Sequence, residues 1–352
     1  MKIVHIICSL NTGGAELMLI DLARCQAKLG HSVSIIVTND SYEQALVDSI
    51  DSQVQVRLIH RPEGSHNPLH LLRLYLAIKR LCPDVIHFHN DSAAKIAGLL
   101  KKTVCVGTVH CPGINICNYT KINQIFSISQ AVADDLKLRQ EIKSKIILNG
   151  INFDAIKKEQ TTYNPGEPFR IVQTGRMQCN IKGQDTITKA IAILTDRGYN
   201  VLLDLIGDPI DETTIRKLSA ELSVADRIHI LGRKSRDEIY ENLCSYHLGV
   251  LPSRYEGFGL SLIEYMAAKI PVVATNVDGP AEILKENQYG LLCKPDDPED
   301  LARMIAKVID NYAMYSANAH SNAFEYAKKN FGIDATAAHY VKEYQRLLNK
   351  NI

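Results

Sequence analysis

The sequence predicts an α/β protein built from two parallel-sheet lobes, and three observations carry that expectation. Short β-branched runs alternate with amphipathic helical stretches along the whole chain. These runs are predominantly apolar, as strands covered on both faces should be. A polar, turn-rich stretch, Gln160 to Pro168, divides the series in two. At 352 residues the chain is also too long for one typical core.

In the first lobe, strands are expected at Ile3 to Ile7, Val33 to Thr38, Val85 to His89, Thr103 to Val109, Gln124 to Ile128 and Lys145 to Leu148. Helical spacing of apolar residues places helices over Ala15 to Leu29 and Leu69 to Leu81. The second lobe repeats the rhythm with strands at Arg170 to Thr174, Val201 to Ile206, Ile228 to Leu231, Leu248 to Leu251, Val272 to Ala274 and Gly290 to Cys293. The last helical stretch, Ala335 to Leu348, lacks a strand partner and is expected to cross back and brace the first lobe. Residues 1–160 and 161–334 are therefore expected as two Rossmann-like domains, with 335–352 as a C-terminal helix on the first. Two such doubly wound sheets, facing each other, would hold their ligand in the cleft between them, at the carboxyl ends of the strands.

Composition narrows the function. A net charge of +1 argues against nucleic acid as the main partner, because neutralising many phosphates takes a strong basic excess. Up to residue 160, Lys and Arg exceed Asp and Glu by about four, so any attraction to anionic lipid favours the first half. No apolar run approaches the ~18 to 20 residues that span a bilayer. The start Met1-Lys2-Ile3-Val4-His5 reads as a strand rather than a signal peptide, which implies a cytoplasmic protein, with peripheral contact at the inner membrane face left open. Nine cysteines without any Cys-x-x-Cys pair suit reduced, buried thiols better than disulfides or zinc.

The most informative stretch is Leu251-Pro252-Ser253-Arg254-Tyr255-Glu256-Gly257-Phe258-Gly259-Leu260-Ser261-Leu262-Ile263-Glu264. An apolar run ends at Pro252, glycines allow a tight turn, and Leu260, Ile263, Ala267 and Ile270 recur at helical spacing. Such a helix start presents unsatisfied N–H groups and partial positive charge, which suit a phosphate. Glu264, one turn beyond Leu260, is expected partly buried and in need of hydrogen-bond donors, which sugar hydroxyls supply. Arg176 and Lys182 fall in the loop after the second lobe's first strand. In the first lobe, Asn11-Thr12-Gly13-Gly14-Ala15-Glu16 turns from strand to helix, without the Gly-x-Gly-x-x-Gly spacing of a dinucleotide site. His87 and His89 are expected to face opposite layers from one strand as packing or positioning residues, and His110 ends the next strand.

Gly175-Arg176, Lys182-Gly183, Leu251-Pro252-Ser253, Glu256-Gly257-Phe258-Gly259, Glu264 and Pro271-Val272-Val273-Ala274 fall in the order and spacing of glycosyltransferase family 4, and the chain resembles that family over essentially its whole length. The resemblance implies a GT-B fold and a retaining transferase using a nucleotide diphosphate sugar. It also implies roles: Glu256 and His110 at the reacting sugar, Glu264 on the donor ribose, and Arg176, Lys182, Gly257, Phe258, Gly259 and Leu260 around the donor. Gly13 and Gly14 would line the acceptor side. A departing diphosphate must be neutralised by a metal or by fixed cations and N–H dipoles. The sequence has no Asp-x-Asp motif, so no metal and no cofactor are expected. A UDP-hexose or UDP-N-acetylhexosamine donor and a lipid-linked or surface polysaccharide acceptor complete the expectation. A nucleotide-sugar epimerase of the same two-lobed fold, and a non-catalytic nucleotide-sugar-binding partner protein, are the alternatives.

Overall fold

The computed structural model describes residues 1–100, 103–159 and 161–350. The chain divides into two units, Met1–Ile151 with Phe331–Ile352, and Asn152–Asn330. The boundary thus falls nine residues before the one expected at 160/161. Gln160, the first residue of the expected linker, lies outside the described residues, as do residues 351 and 352; Thr161 to Pro168 has no helix or strand.

The first unit is a seven-stranded parallel sheet of β1 (Lys2–Ile7), β2 (Ser32–Asn39), β3 (Val54–Arg61), β4 (Val85–Phe88), β5 (Val104–Val109), β6 (Gln124–Ser127) and β7 (Lys145–Ile146), in the order β3-β2-β1-β4-β5-β6-β7. One strand, β3, was not expected. It is an edge strand, and its Val54, Val56 and Leu58 alternate with Gln55 and Arg57, so it lacks the predominantly apolar, buried run of its neighbours. The helix Gly14–Lys28 buries Met18, Leu22 and Cys25, and the final helix Ile333–Lys350 lies against it, adding Ala337, Tyr340, Tyr344 and Leu347 to the same core. Glu343 fixes that final helix by accepting from Lys145 of β7 at 2.6 Å and from Arg346 at 2.8 Å.

The second unit is a six-stranded parallel sheet of β8 (Phe169–Thr174), β9 (Val201–Ile206), β10 (Ile228–Gly232), β11 (Leu248–Leu251), β12 (Val272–Thr275) and β13 (Leu291–Cys293). Its order, β10-β9-β8-β11-β12-β13, reverses between β8 and β11 as the first sheet's reverses between β1 and β4. Doubly wound sheets open a crevice at the carboxyl ends of the strands at this reversal. Both units are therefore Rossmann-like, the two doubly wound domains expected of a GT-B chain. The second core is packed from Phe169, Ile187, Ile191, Leu203, Val250 and Ile305 among others. Five of the nine cysteines, Cys25, Cys105, Cys179, Cys244 and Cys293, are buried and all nine are free thiols, but Cys82, Cys111 and Cys117 are exposed, against the expectation of buried thiols throughout.

Candidate functional site

The second unit's reversal point gathers most of the donor-side residues named from sequence. From the end of β8, Gly175 and Arg176 lead into the single helical turn Cys179–Lys182, and Gly183 reverses the chain at φ 68°. A Cβ at Gly183 would lie 2.0 Å from the carbonyl oxygen of Pro252, so only glycine lets the loop after β8 lie against the loop after β11. The Arg254 amide donates to the Ile181 carbonyl at 2.8 Å across the same seam.

Beyond that seam Gly259, at φ 107°, opens the helix Leu260–Ala267 without a side-chain cap. Its carbonyl accepts from the amides of Leu262 and Ile263. The earlier amides of the first turn have no intrahelical acceptor, as at every helix start. Phe258 is buried, which fixes the turn from inside, and Leu260 is half-buried.

The charged side chains here are paired. Lys182 Nζ donates to Glu256 Oε2 at 2.7 Å, both side chains being largely shielded from water. The sequence reading gave these residues separate partners, and the structure brings them together. Arg176 is exposed on the loop after β8. Glu264 is half-buried, as expected, but its Oε1 already accepts from the Tyr240 hydroxyl at 3.0 Å.

In the first unit, the reversal point lies at the ends of β1 and β4. Asn90 Oδ1 ties them by accepting from the Cys8 amide at 2.7 Å. Gly13 and Gly14 follow β1 and open the helix Gly14–Lys28, and the loop is held by Glu43, which accepts from the Thr12 amide at 3.2 Å and hydroxyl at 2.6 Å. His87 and His89 do not face opposite layers. Residues two apart on a strand share a face, and their rings stack at 4.3 Å between centroids.

With His5 and His110, these rings make a buried network. His5 Nε2 meets Gln26 Oε1 at 2.7 Å, His5 Nδ1 meets His89 Nε2 at 3.0 Å, and His89 Nδ1 meets His110 Nε2 at 3.1 Å. Burial holds His5 and His110 down at about 4 and His89 well below the usual histidine range, so these rings are neutral near pH 7. The proton positions then follow in sequence. With the Gln26 amide oxygen as acceptor, His5 carries its proton on Nε2, so its bare Nδ1 accepts from His89 Nε2–H. His89 Nδ1 accepts in turn from His110 Nε2–H. His110 Nδ1 is left as a lone pair, and it has no hydrogen-bond partner among the described residues. His87 is held separately, with Tyr344 on Nδ1 and Thr108 on Nε2, each at 2.7 Å. Nitrogens of His5, His87 and His89 lie within 4.8 Å of one another, close enough to hold a cation, but all six are committed to these hydrogen bonds.

A family profile described as glycosyl transferases group 1 matches residues 154–330, half of the chain. The protein belongs to this family. A second profile, glycosyltransferase family 4, matches residues 12–155 of the same glycosyltransferase chain. An uncharacterized glycosyltransferase of Methanocaldococcus jannaschii is 30% identical over 210 residues, 60% of this chain and 56% of that protein. The chain spans about half the length of the curated relatives it matches. Among solved structures, a glycosyltransferase of Rickettsia africae superposes with a TM-score of 0.85 at 22% identity, covering 99% of this chain and 98% of that one. Anabaena HepE, solved in complex with UDP and glucose, gives 0.81 at 20% identity, covering 98% and 99%. At these identities the likeness is one of fold.

Three features of this family member escaped the sequence reading. Arg254 grips Asp185 through both guanidinium nitrogens, at 2.8 and 2.7 Å, reaches Asp296 at 2.6 Å, and also donates to the Cys179 carbonyl. It thereby clamps the Arg176 to Gly183 loop from beneath. Burial alone would raise the Asp185 carboxyl, but the Arg254 hydrogen bonds and charge outweigh it and hold that carboxyl below its usual range. The other two are Tyr240, the donor to Glu264, and the His5–Gln26 pair. Arg254 stood inside the motif that was read, and an arginine there was the available signal. Tyr240 and Gln26 gave none, since their partners are distant in sequence.

Proposed function

We propose that this protein is a retaining glycosyltransferase that moves a sugar from a nucleotide diphosphate carrier to a hydroxyl of a lipid-linked or surface polysaccharide acceptor, with no metal needed at the diphosphate. A UDP-hexose or UDP-N-acetylhexosamine is the favoured donor. The observation that carries the reading is the placement of Arg176, the Lys182–Glu256 pair and the uncapped helix start at Gly259 on the loops after β8 and β11, at the reversal of the sheet. A diphosphate leaving group gains negative charge as the sugar departs, and preorganised cations and helix amides stabilise that charge without reorganising.

In the free protein Glu256 holds the Lys182 ammonium in place. An arriving diphosphate competes for that ammonium, which releases Glu256 to accept from a sugar hydroxyl. Glu264, supported by Tyr240, accepts from the ribose hydroxyls. His110, presenting a bare Nδ1, accepts from another sugar hydroxyl and stays neutral while doing so. The departing phosphate takes the acceptor's proton, so no separate protein base is needed. HepE, a protein of similar fold, is solved in complex with UDP and glucose, and this together with the family membership supports a nucleotide-sugar donor here.

The experiment is a transfer assay with a panel of nucleotide sugars and lipid-linked acceptors in the presence of EDTA, with the product anomer read by NMR. Transfer with retained anomeric configuration is expected. Free epimerised sugar made without any acceptor, a strict requirement for added manganese, or an inverted product would each overturn part of the reading.

A further inference from the structure

The helix Pro68–Leu81 packs on the first unit through one side only, where Leu74 and Ile78 are buried. On its far side Leu69, Leu72 and Leu76 are 56%, 51% and 44% exposed. Their spacing puts them in one outward row. At about 100° per residue, Arg73 and Arg80 border this row on one side and Lys79 on the other, and all three bases are exposed. Between residues 68 and 81 there is no Asp or Glu.

Single exposed leucines are ordinary, but an aligned row on an otherwise basic helix face is not. A second copy of this chain fits it poorly, because a two-fold contact would bring the arginines and lysine of one row against those of the other. A partner surface that is apolar at depth and anionic at its rim fits it well. We infer that the outward face of this helix is a docking surface for an anionic phospholipid bilayer, with the leucines entering the boundary between headgroups and acyl chains and Arg73, Lys79 and Arg80 lying against lipid phosphates. Among the described residues no helix is long and apolar enough to cross a membrane, so the contact is one of lying on the surface. Binding of this kind needs no nucleotide sugar and stands or falls separately from the transfer chemistry.

The test is co-sedimentation of the full chain with vesicles of phosphatidylcholine alone and of phosphatidylcholine mixed with phosphatidylglycerol. Strong binding to the mixed vesicles and little to the neutral ones is expected. R73Q/K79Q/R80Q should weaken it about fivefold per base, on the order of a hundredfold together. L72S/L76S should weaken it about tenfold or more, even at low salt. Added salt should mimic the first variant and not the second. Both variants change solvent-facing side chains, and unchanged circular dichroism melting confirms their fold. Equal binding to neutral and anionic vesicles, or parental binding by L72S/L76S, overturns the inference. So does a concentration-dependent dimer that the leucine variant abolishes, which would make the occupant a second copy.

Discussion

Where the first sheet reverses its strand order, the loops surround neutral histidines joined ring to ring; where the second reverses, they surround cations and carboxylates joined as ion pairs. A glycine-bearing loop follows the first strand of each sheet. The topology makes a crevice in each unit, and the side chains decide what each crevice can hold. A site of fixed charges suits a ligand whose charge grows during reaction. A site of neutral acceptors suits uncharged hydroxyls.

That contrast breaks most visibly at the cations. Replacing Arg176 and Lys182 together by alanine removes two charge-assisted contacts worth about 1.5 to 3 kcal/mol each. Turnover should fall by about two to four decades, read in the transfer assay, with the fold intact. A loss of less than tenfold would mean that the charge at the second crevice is not catalytic.

The clamp beneath that loop comes next. Arg254→Ala leaves the Asp185 carboxylate without its counter-charge, at a site where each side chain is about one-fifth exposed. Breaking a fully buried pair costs about 3 to 5 kcal/mol, and partial exposure lowers the expectation to about 2 to 4. Urea denaturation measures it.

The histidine crevice answers to pH instead. Burial sets the folded values of His5 and His110 at about 4, against 6.5 for the free side chain. Between those values the unfolded chain binds protons that the folded rings refuse. Stability therefore falls as the pH drops from about 6.5 towards about 4, by about 1.4 kcal/mol per pH unit for each ring, and levels off below for these two. A melting temperature flat across that window would contradict the neutral chain. The smallest change is Tyr240→Phe, which deletes one donor to Glu264 and should weaken nucleotide binding by about 0.5 to 1.5 kcal/mol.

Much of this was legible before any coordinates. The strands at Val201–Ile206 and Leu248–Leu251 begin and end where their apolar runs do, since parallel strands buried on both faces leave a nearly unbroken signal, interrupted here only by Asp204. The edge strand β3 shows where that signal stops, because one exposed side admits polar residues. For the site, glycines marked the turns and lone charges marked the loops. Pairings stayed hidden, because Lys182 and Glu256 lie 74 residues apart and Arg254 and Asp185 lie 69 apart, and only the sheet order brings them together.

Calorimetric titration of UDP in the presence of EDTA tests the central assignment most directly. Metal-free binding by the parent protein is expected, with a loss of about tenfold or more in affinity when Arg176 and Lys182 are both alanine. Binding that appears only when a divalent cation is added, or unchanged affinity in the double variant, would contradict it.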